Sequence, residues 1–173
     1  MIVPLLLFIA AATDHGFGVL PPVQLPDIQV TTEDNKHVSL RELTNNQAVA
    51  IQFVFTDCET VCPLLGSLFQ SVEKRNTRRS PSLLLSVTVN PDRDDPPRLK
   101  DWLSNFRRGT KWHAIRTTPA DLKLLLEAFG QKPGPAVAHS AQVFFVKSNG
   151  EVFGRTTGLP DSAGVAGILS RLP

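Results

Sequence analysis

Cysteine is scarce: the 173-residue chain has two, Cys58 and Cys62, too few for a disulfide framework. A strong charge imbalance is missing as well. Eighteen Lys and Arg against sixteen Asp and Glu leave a net charge of +2, and no basic stripe is interleaved with aromatics, so nucleic acid is not an expected partner. Arg75, Arg78 and Arg79, with Arg107 and Arg108, form two small basic clusters that read as solvated helix ends and loops. Repeats and low-complexity tracts are absent. What remains is 42% hydrophobic and 20% charged, the balance of an ordinary globular domain long enough to bury a core without staples.

The apolar run Met1 to Ala12 falls short of the roughly 20 residues that a membrane span needs. It closes on small residues, with Ala10 and Ala12 placed as in an A-x-A cleavage site. No Lys or Arg precedes it, and no cysteine follows it directly, as a lipid anchor would require. The expectation is a signal peptide over 1–13, a linker over 14–24 marked by Gly16, Gly18, Pro21 and Pro22, and one domain over 25–173. Export to the periplasm, or another extracytoplasmic space facing a membrane, would place the thiols in an oxidising compartment. The alternative is a buried N-terminal segment of a cytosolic protein.

Along the domain, Val23 to Val30 alternates as a strand, Glu33-Asp34-Asn35 turns, and His37 to Leu40 returns as a hairpin partner. Ser39 caps a short helical turn with Glu42 at the capping-box position. Val49 to Phe55 and Leu83 to Val89 are continuous apolar runs, the pattern of strands buried on both faces. Between them Leu64, Leu65, Leu68, Phe69 and Val72 have helical spacing, with Thr56 and Asp57 as N-cap candidates and Pro63 in the first turn. Pro96 and Pro97 start a helix carrying Leu99, Trp102, Leu103 and Phe106. Lys111 to Ile115 is a short strand. Thr118 caps a helix with Leu122, Leu125, Leu126 and Phe129 inward, and Gly130 ends it. Gln142 to Lys147 and Val152 to Arg155 are strands joined through Asn149-Gly150, a hairpin signal. Asp161 or Ser162 caps a last helix. This order predicts an α/β three-layer sandwich with a mixed central sheet and an extra N-terminal β-hairpin, an arrangement that resembles the thioredoxin-like fold.

The two thiols stand four residues apart where a buried strand hands over to a helix. Residues i and i+4 share one helical face, so both sulfurs can address one point. A helix N-terminus stabilises thiolate, and Glu59 works modestly against it. As a staple the pair would close a loop worth only about 2 kcal/mol. As ligands, soft thiolates favour Cu(I) or Zn(II) and call for a third donor. His15 lies in the linker, His37 in the distal hairpin, and His113 mid-strand among apolar residues, where a satisfied histidine is expected. His139 follows the Pro/Gly loop from Lys132 and immediately precedes a strand whose start lies beside the thiol loop in a thioredoxin-like sheet. Residue logic alone leaves His139 open between a ligand and a surface histidine.

Three separated stretches, F-T-D-C-E-T-V-C-P at Phe55 to Pro63, V-N-P-D-R-D-D-P-P-R-L at Val89 to Leu99 and H-S-A-Q-V-F-F-V-K-S-N-G at His139 to Gly150, resemble in order and spacing the motifs of the Sco/SenC family of copper chaperones. The resemblance covers roughly Leu25 to Leu169. It implies a thioredoxin-like fold and a copper ion held by Cys58, Cys62 and His139, as Cu(I) with Cu(II) as a second state. It also implies a role in assembling the binuclear copper centre of cytochrome c oxidase, with a membrane-associated copper-receiving subunit, or another copper or thiol protein, as partner. Glu59, Asn90 and Ala138 depart from the family's usual proline and two aspartates. The rival expectation is a thiol–disulfide oxidoreductase in which Cys58 and Cys62 are the redox-active pair, which has no need of His139. A thiol peroxidase is rejected, because Phe55 and Glu59 stand where peroxiredoxins carry threonine before the reactive cysteine. A closed zinc site would want a fourth ligand.

Overall fold

The two continuous apolar runs lie side by side: Ala48–Val54 and Ser82–Thr88 pair in parallel, and every residue of both is buried. The structure, a computed structural model, describes residues 16–75, 82–134 and 140–173. In chain order the strands are β1 (Phe17–Val19), β2 (Gln29–Thr32), β3 (His37–Ser39), β4 (Ala48–Val54), β5 (Ser82–Thr88), β6 (Trp112–Arg116), β7 (Phe144–Val146) and β8 (Val152–Thr156). The helices are α1 (Leu40–Thr44), α2 (Val61–Arg75), α3 (Pro96–Ser104), α4 (Pro119–Ala128) and α5 (Ser162–Leu169). The strands form one sheet in the order β1-β8-β7-β4-β5-β6-β2-β3. β4, β5 and β6 run parallel and the remaining pairings are antiparallel, which makes the sheet mixed.

Alternation along the central strands divides the core in two, because successive side chains point to opposite faces. Val49, Ile51 and Phe53 meet α1 and α4 through Leu40, Leu122, Leu125, Leu126 and Phe129. Ala48, Ala50 and Val54 meet α2, α3 and α5, in the layer that also holds both cysteines. Polar side chains on that second face meet at one hydroxyl: Gln52 Nε2 and Trp112 Nε1 both donate to Ser86 Oγ, at 2.7 and 2.9 Å. Gly66 lets α2 approach closely, since a Cβ there would stand 2.1 Å from the Phe106 ring. Helices on both faces of a mixed sheet, with the β2–β3 hairpin added at one edge, give the expected three-layer α/β sandwich.

Local chemistry sets the boundaries. Ser39 Oγ accepts Glu42 N–H at 3.0 Å to start α1, Asp95 caps α3 in front of Pro96 and Pro97, and Thr118 caps α4. Asp161, not Ser162, caps α5, accepting Gly164 N–H at 2.7 Å. Gly130, in the left-handed region at φ 63°, follows α4 as a helix-ending glycine does.

Three elements differ from the sequence expectation. Of the run Val23 to Val30 only the end joins β2, which continues to Thr32, while Gln24 makes an isolated bridge to Glu151. Pro26 has no N–H for a ladder, which accounts for the interruption. Phe17–Val19, inside the stretch read as linker, adds an edge strand against β8, and the Phe17 ring packs on Phe145 and Phe153. β7 is confined to Phe144–Val146, shorter than Gln142 to Lys147. Among the described residues no helix is long and apolar enough to cross a membrane.

Candidate functional site

β4 ends at Val54, and the chain turns so that Cys58 N–H donates to Phe55 O at 3.2 Å. α2 begins three residues later, with Pro63 in its first turn, where a missing N–H costs no helical bond. The expected caps, Thr56 and Asp57, do not cap it. The helix instead receives Cys58 Sγ, which accepts Cys62 N–H at 3.3 Å and lies 3.8 Å from Thr60 Oγ1. Both cysteines are free thiols. Cys58 keeps 6% of its surface exposed and Cys62 none. The helix start thus presents one sulfur toward the surface and seats the second beneath it.

The two sulfurs are electrostatically unequal. Burial pushes Cys58 up, but the hydrogen bonds it accepts from the Cys62 thiol, the Cys62 N–H and Thr60 outweigh burial and hold it below the ordinary thiol value. Burial pushes Cys62 up first, its donated bond to Cys58 adds to this, and the nearby Asp94 charge adds again, bringing it to about 12. A proton therefore stays on Cys62 and is shared toward Cys58, whose sulfur is the nucleophile and the better ligand of the free pair. Metal binding would displace that proton.

Thr56 and Asp57 are engaged by the loop that follows β5. Asp94, 1% exposed, accepts Thr56 N–H at 3.2 Å, Thr56 O–H at 2.6 Å and the Thr88 hydroxyl on β5. Asp57 is held on the outside by Arg93 at 3.2 Å and Arg98 at 3.5 Å. Sequence reasoning had not singled out Asp94. The signal was there in part: of Asp92, Asp94 and Asp95, the last is spent as the cap before the two prolines, and a hydroxyl stands at the end of each adjoining strand.

His37 contacts Thr31 Oγ1 at 3.1 Å in the distal hairpin. His113 Nδ1 lies 3.0 Å from Glu33 Oε1, the satisfied role expected of it. His15, His139 and Ala138 lie outside the described residues. Ser140 to Val143 lead into β7, whose Phe144 pairs antiparallel with Ile51, so this segment enters the sheet at the end where β4 delivers Cys58. Glu59 is exposed, and Asn90 donates its N–H to Thr88 Oγ1 at 3.0 Å. Among the described residues no three His, Cys, Asp or Glu side chains converge as a metal cluster. Two soft sulfurs on one turn suit a soft, low-coordinate metal ion, or a reversible disulfide.

Residues 25–172 match the SCO1/SenC family model. The SCO1 protein homolog of Bacillus subtilis is 32% identical over 104 residues, covering 58% of this chain and 53% of the relative. The chain thus spans about half the length of that relative. Among solved structures, BsSco, a member of the Sco family of cytochrome c oxidase assembly proteins with an identified disulfide switch, superposes with a TM-score of 0.70 at 21% identity, covering 90% of this chain and 99% of that one. ScoI of Bradyrhizobium japonicum with copper bound gives a TM-score of 0.69 at 19% identity, covering 90% and 100%. At these identities the structural likeness speaks for the fold.

Proposed function

Since the chain belongs to the SCO1/SenC family, we propose that it is a copper metallochaperone that carries the ion on Cys58, Cys62 and His139. The observation that carries this reading is the pair of free, buried thiols at the start of α2, with Cys58 Sγ accepting the backbone N–H of Cys62. Cu(I) is soft and accepts two or three donors, so two thiolates and one imidazole suit it; Cu(II) is the second state such a set can hold. Both cysteines must be reduced to load, and the Cys62 proton leaves as the ion arrives. Copper would leave by ligand exchange, a recipient thiol replacing one donor at a time at the more exposed Cys58. The recipient would be a copper-receiving, membrane-associated subunit of cytochrome c oxidase, reached from an extracytoplasmic compartment. In support, a family member of this fold holds copper in its structure, and another is named for oxidase assembly.

The test is copper stoichiometry on the reduced chain under competition with a Cu(I) chelator. One copper per chain is expected, abolished by Cys58→Ala or Cys62→Ala and strongly weakened by His139→Ala. Undiminished retention by the His139 variant would remove that residue from the site, and retention by both cysteine variants would overturn the reading.

The inequality of the two thiols supports a second reading, thiol–disulfide exchange on a partner protein. Cys58 would attack and Cys62 resolve the mixed disulfide. This chemistry does not involve His139, so normal exchange by His139→Ala together with lost copper binding would separate the two.

A further inference from the structure

The turn that carries Cys58 is gripped from a direction neither reading uses. Asp94 sits in the loop after β5, its own N–H donating to Asn90 O at 2.9 Å. Three donors converge on its carboxylate: the Thr56 amide, the Thr56 hydroxyl and the Thr88 hydroxyl. A carboxylate accepts at every lone pair and can take all three, whereas an amide side chain would turn donor against donor. Bonds to a buried charged acceptor are also the strong ones. Thr88 belongs to a strand whose seven residues are all buried, and Thr56 precedes Cys58 by two residues. Asp94 therefore ties the sulfur-bearing turn to a fully buried central strand of the sheet.

We propose that Asp94 is a positioning residue for the cysteine pair: through Thr56 it holds the turn so that Cys58 Sγ stays within reach of Cys62. The proposal rests on the reading of Cys58 and Cys62 as the working pair. Its physical content is effective concentration. A sulfur fixed near its partner closes a disulfide, or a two-sulfur clamp, without first losing the freedom of a loose turn.

The experiment is the dithiol–disulfide equilibrium of the full chain in a dithiothreitol redox buffer at neutral pH, trapped by alkylation and free of copper. In it the Cys58–Cys62 S–S bond breaks with uptake of two electrons and two protons, which reduced dithiothreitol supplies as its own ring disulfide forms. Asp94→Asn and Thr56→Val are each expected to weaken the protein disulfide about tenfold, about 30 mV for this two-electron couple. Thr56→Ser, which keeps both donors, is expected to stay at the wild-type value. A purely structural role would lower the melting temperature of these variants without moving the equilibrium. If Asp94→Asn does not fold, the Thr56 pair decides alone, because it leaves the carboxylate in place. Folded Thr56→Val within twofold of wild type overturns the proposal. Failure of the wild-type chain to bind copper would instead sink the metallochaperone reading and leave this equilibrium unaffected.

Discussion

Two carboxylates are buried among the described residues, and they are treated differently. Glu33, 2% exposed at the β2–β3 turn, faces a guanidinium and an imidazole: Arg108 lies 3.2 Å and His113 3.0 Å from Oε1, while Ala114 N–H donates to Oε2 at 3.2 Å. Asp94 is served by one amide and two hydroxyls. Glu33 is thereby a clamp, a carboxylate brought inside with the Arg108 counter-charge and an imidazole partner that dock the added hairpin onto β6. Asp94 brings an equal charge to the sulfurs with hydrogen bonds in place of cations, and Cys62 feels it. A buried acid matched by bases is architecture, whereas one matched by hydroxyls leaves a field for its neighbours to use.

The sharpest way to expose that field is alkylation. The thiolate reacts, and with Cys62 at about 12 only about one Cys62 in ten thousand is ionised at pH 8, while Cys58 ionises below the ordinary thiol range. Part of that advantage is returned because the lower-pKa sulfur is the weaker nucleophile. Cys58 is expected to react faster by a factor on the order of a hundred, read by mass spectrometry of partly labelled, reduced protein. Cys58 labelling should level off at a lower pH than that of an ordinary thiol, and Cys62 labelling should go on rising with pH. Asp94→Asn should narrow the ratio and Glu33→Ala should leave it unchanged; equal labelling of the two cysteines would erase the contrast.

Next in size is stability at the clamp. Glu33→Ala removes the acid while Arg108 and His113, both partly exposed, regain water, so a loss of about 2–3 kcal/mol is expected, below the full cost of a stranded buried charge. The urea midpoint should fall with an unchanged m-value. A copper or thiol defect in this variant would break the division of labour between the two acids.

The smallest effect belongs to the outer grip on the same turn. Asp57 and its two arginines are about half exposed or more, so Asp57→Ala should cost less than about 1 kcal/mol in the same urea titration. A loss as large as that of Glu33→Ala would mean that the exposed ion pairs, and not Asp94, hold the thiol turn.

What was legible in the sequence follows the range of the forces involved. β4 and β5 were readable to within a residue, since burial on both faces writes a continuous apolar run. The caps at Ser39, Thr118 and Asp161 were readable because a cap acts across three residues. β1 was not: three residues with a central glycine carry no pattern, and what fixes them is the β8 edge and the rings of Phe145 and Phe153, far along the chain. Thr56 and Asp57 were misread as caps for a related reason. Their hydroxyl and carboxylate suit a helix N-terminus locally, but partners 36 to 41 residues later in the chain, Arg93, Asp94 and Arg98, take them first. The two cysteines were legible by type and spacing, and their inequality was not, because it arises from depth and from the hydrogen bond between them. His139 rests on its motif alone, outside the described residues.

The bond from Cys62 N–H to Cys58 Sγ has one more consequence. A single sulfur is asked both to finish a helix and to do chemistry. Whenever Cys58 binds an ion or closes a disulfide, that acceptor is withdrawn or weakened, and the amide of Cys62 must find water or wait. The backbone nitrogen of Cys62 is therefore a native gauge of what the sulfur is doing. Its resonance and its hydrogen-exchange rate can be followed on the unlabelled protein, with no probe attached to either thiol.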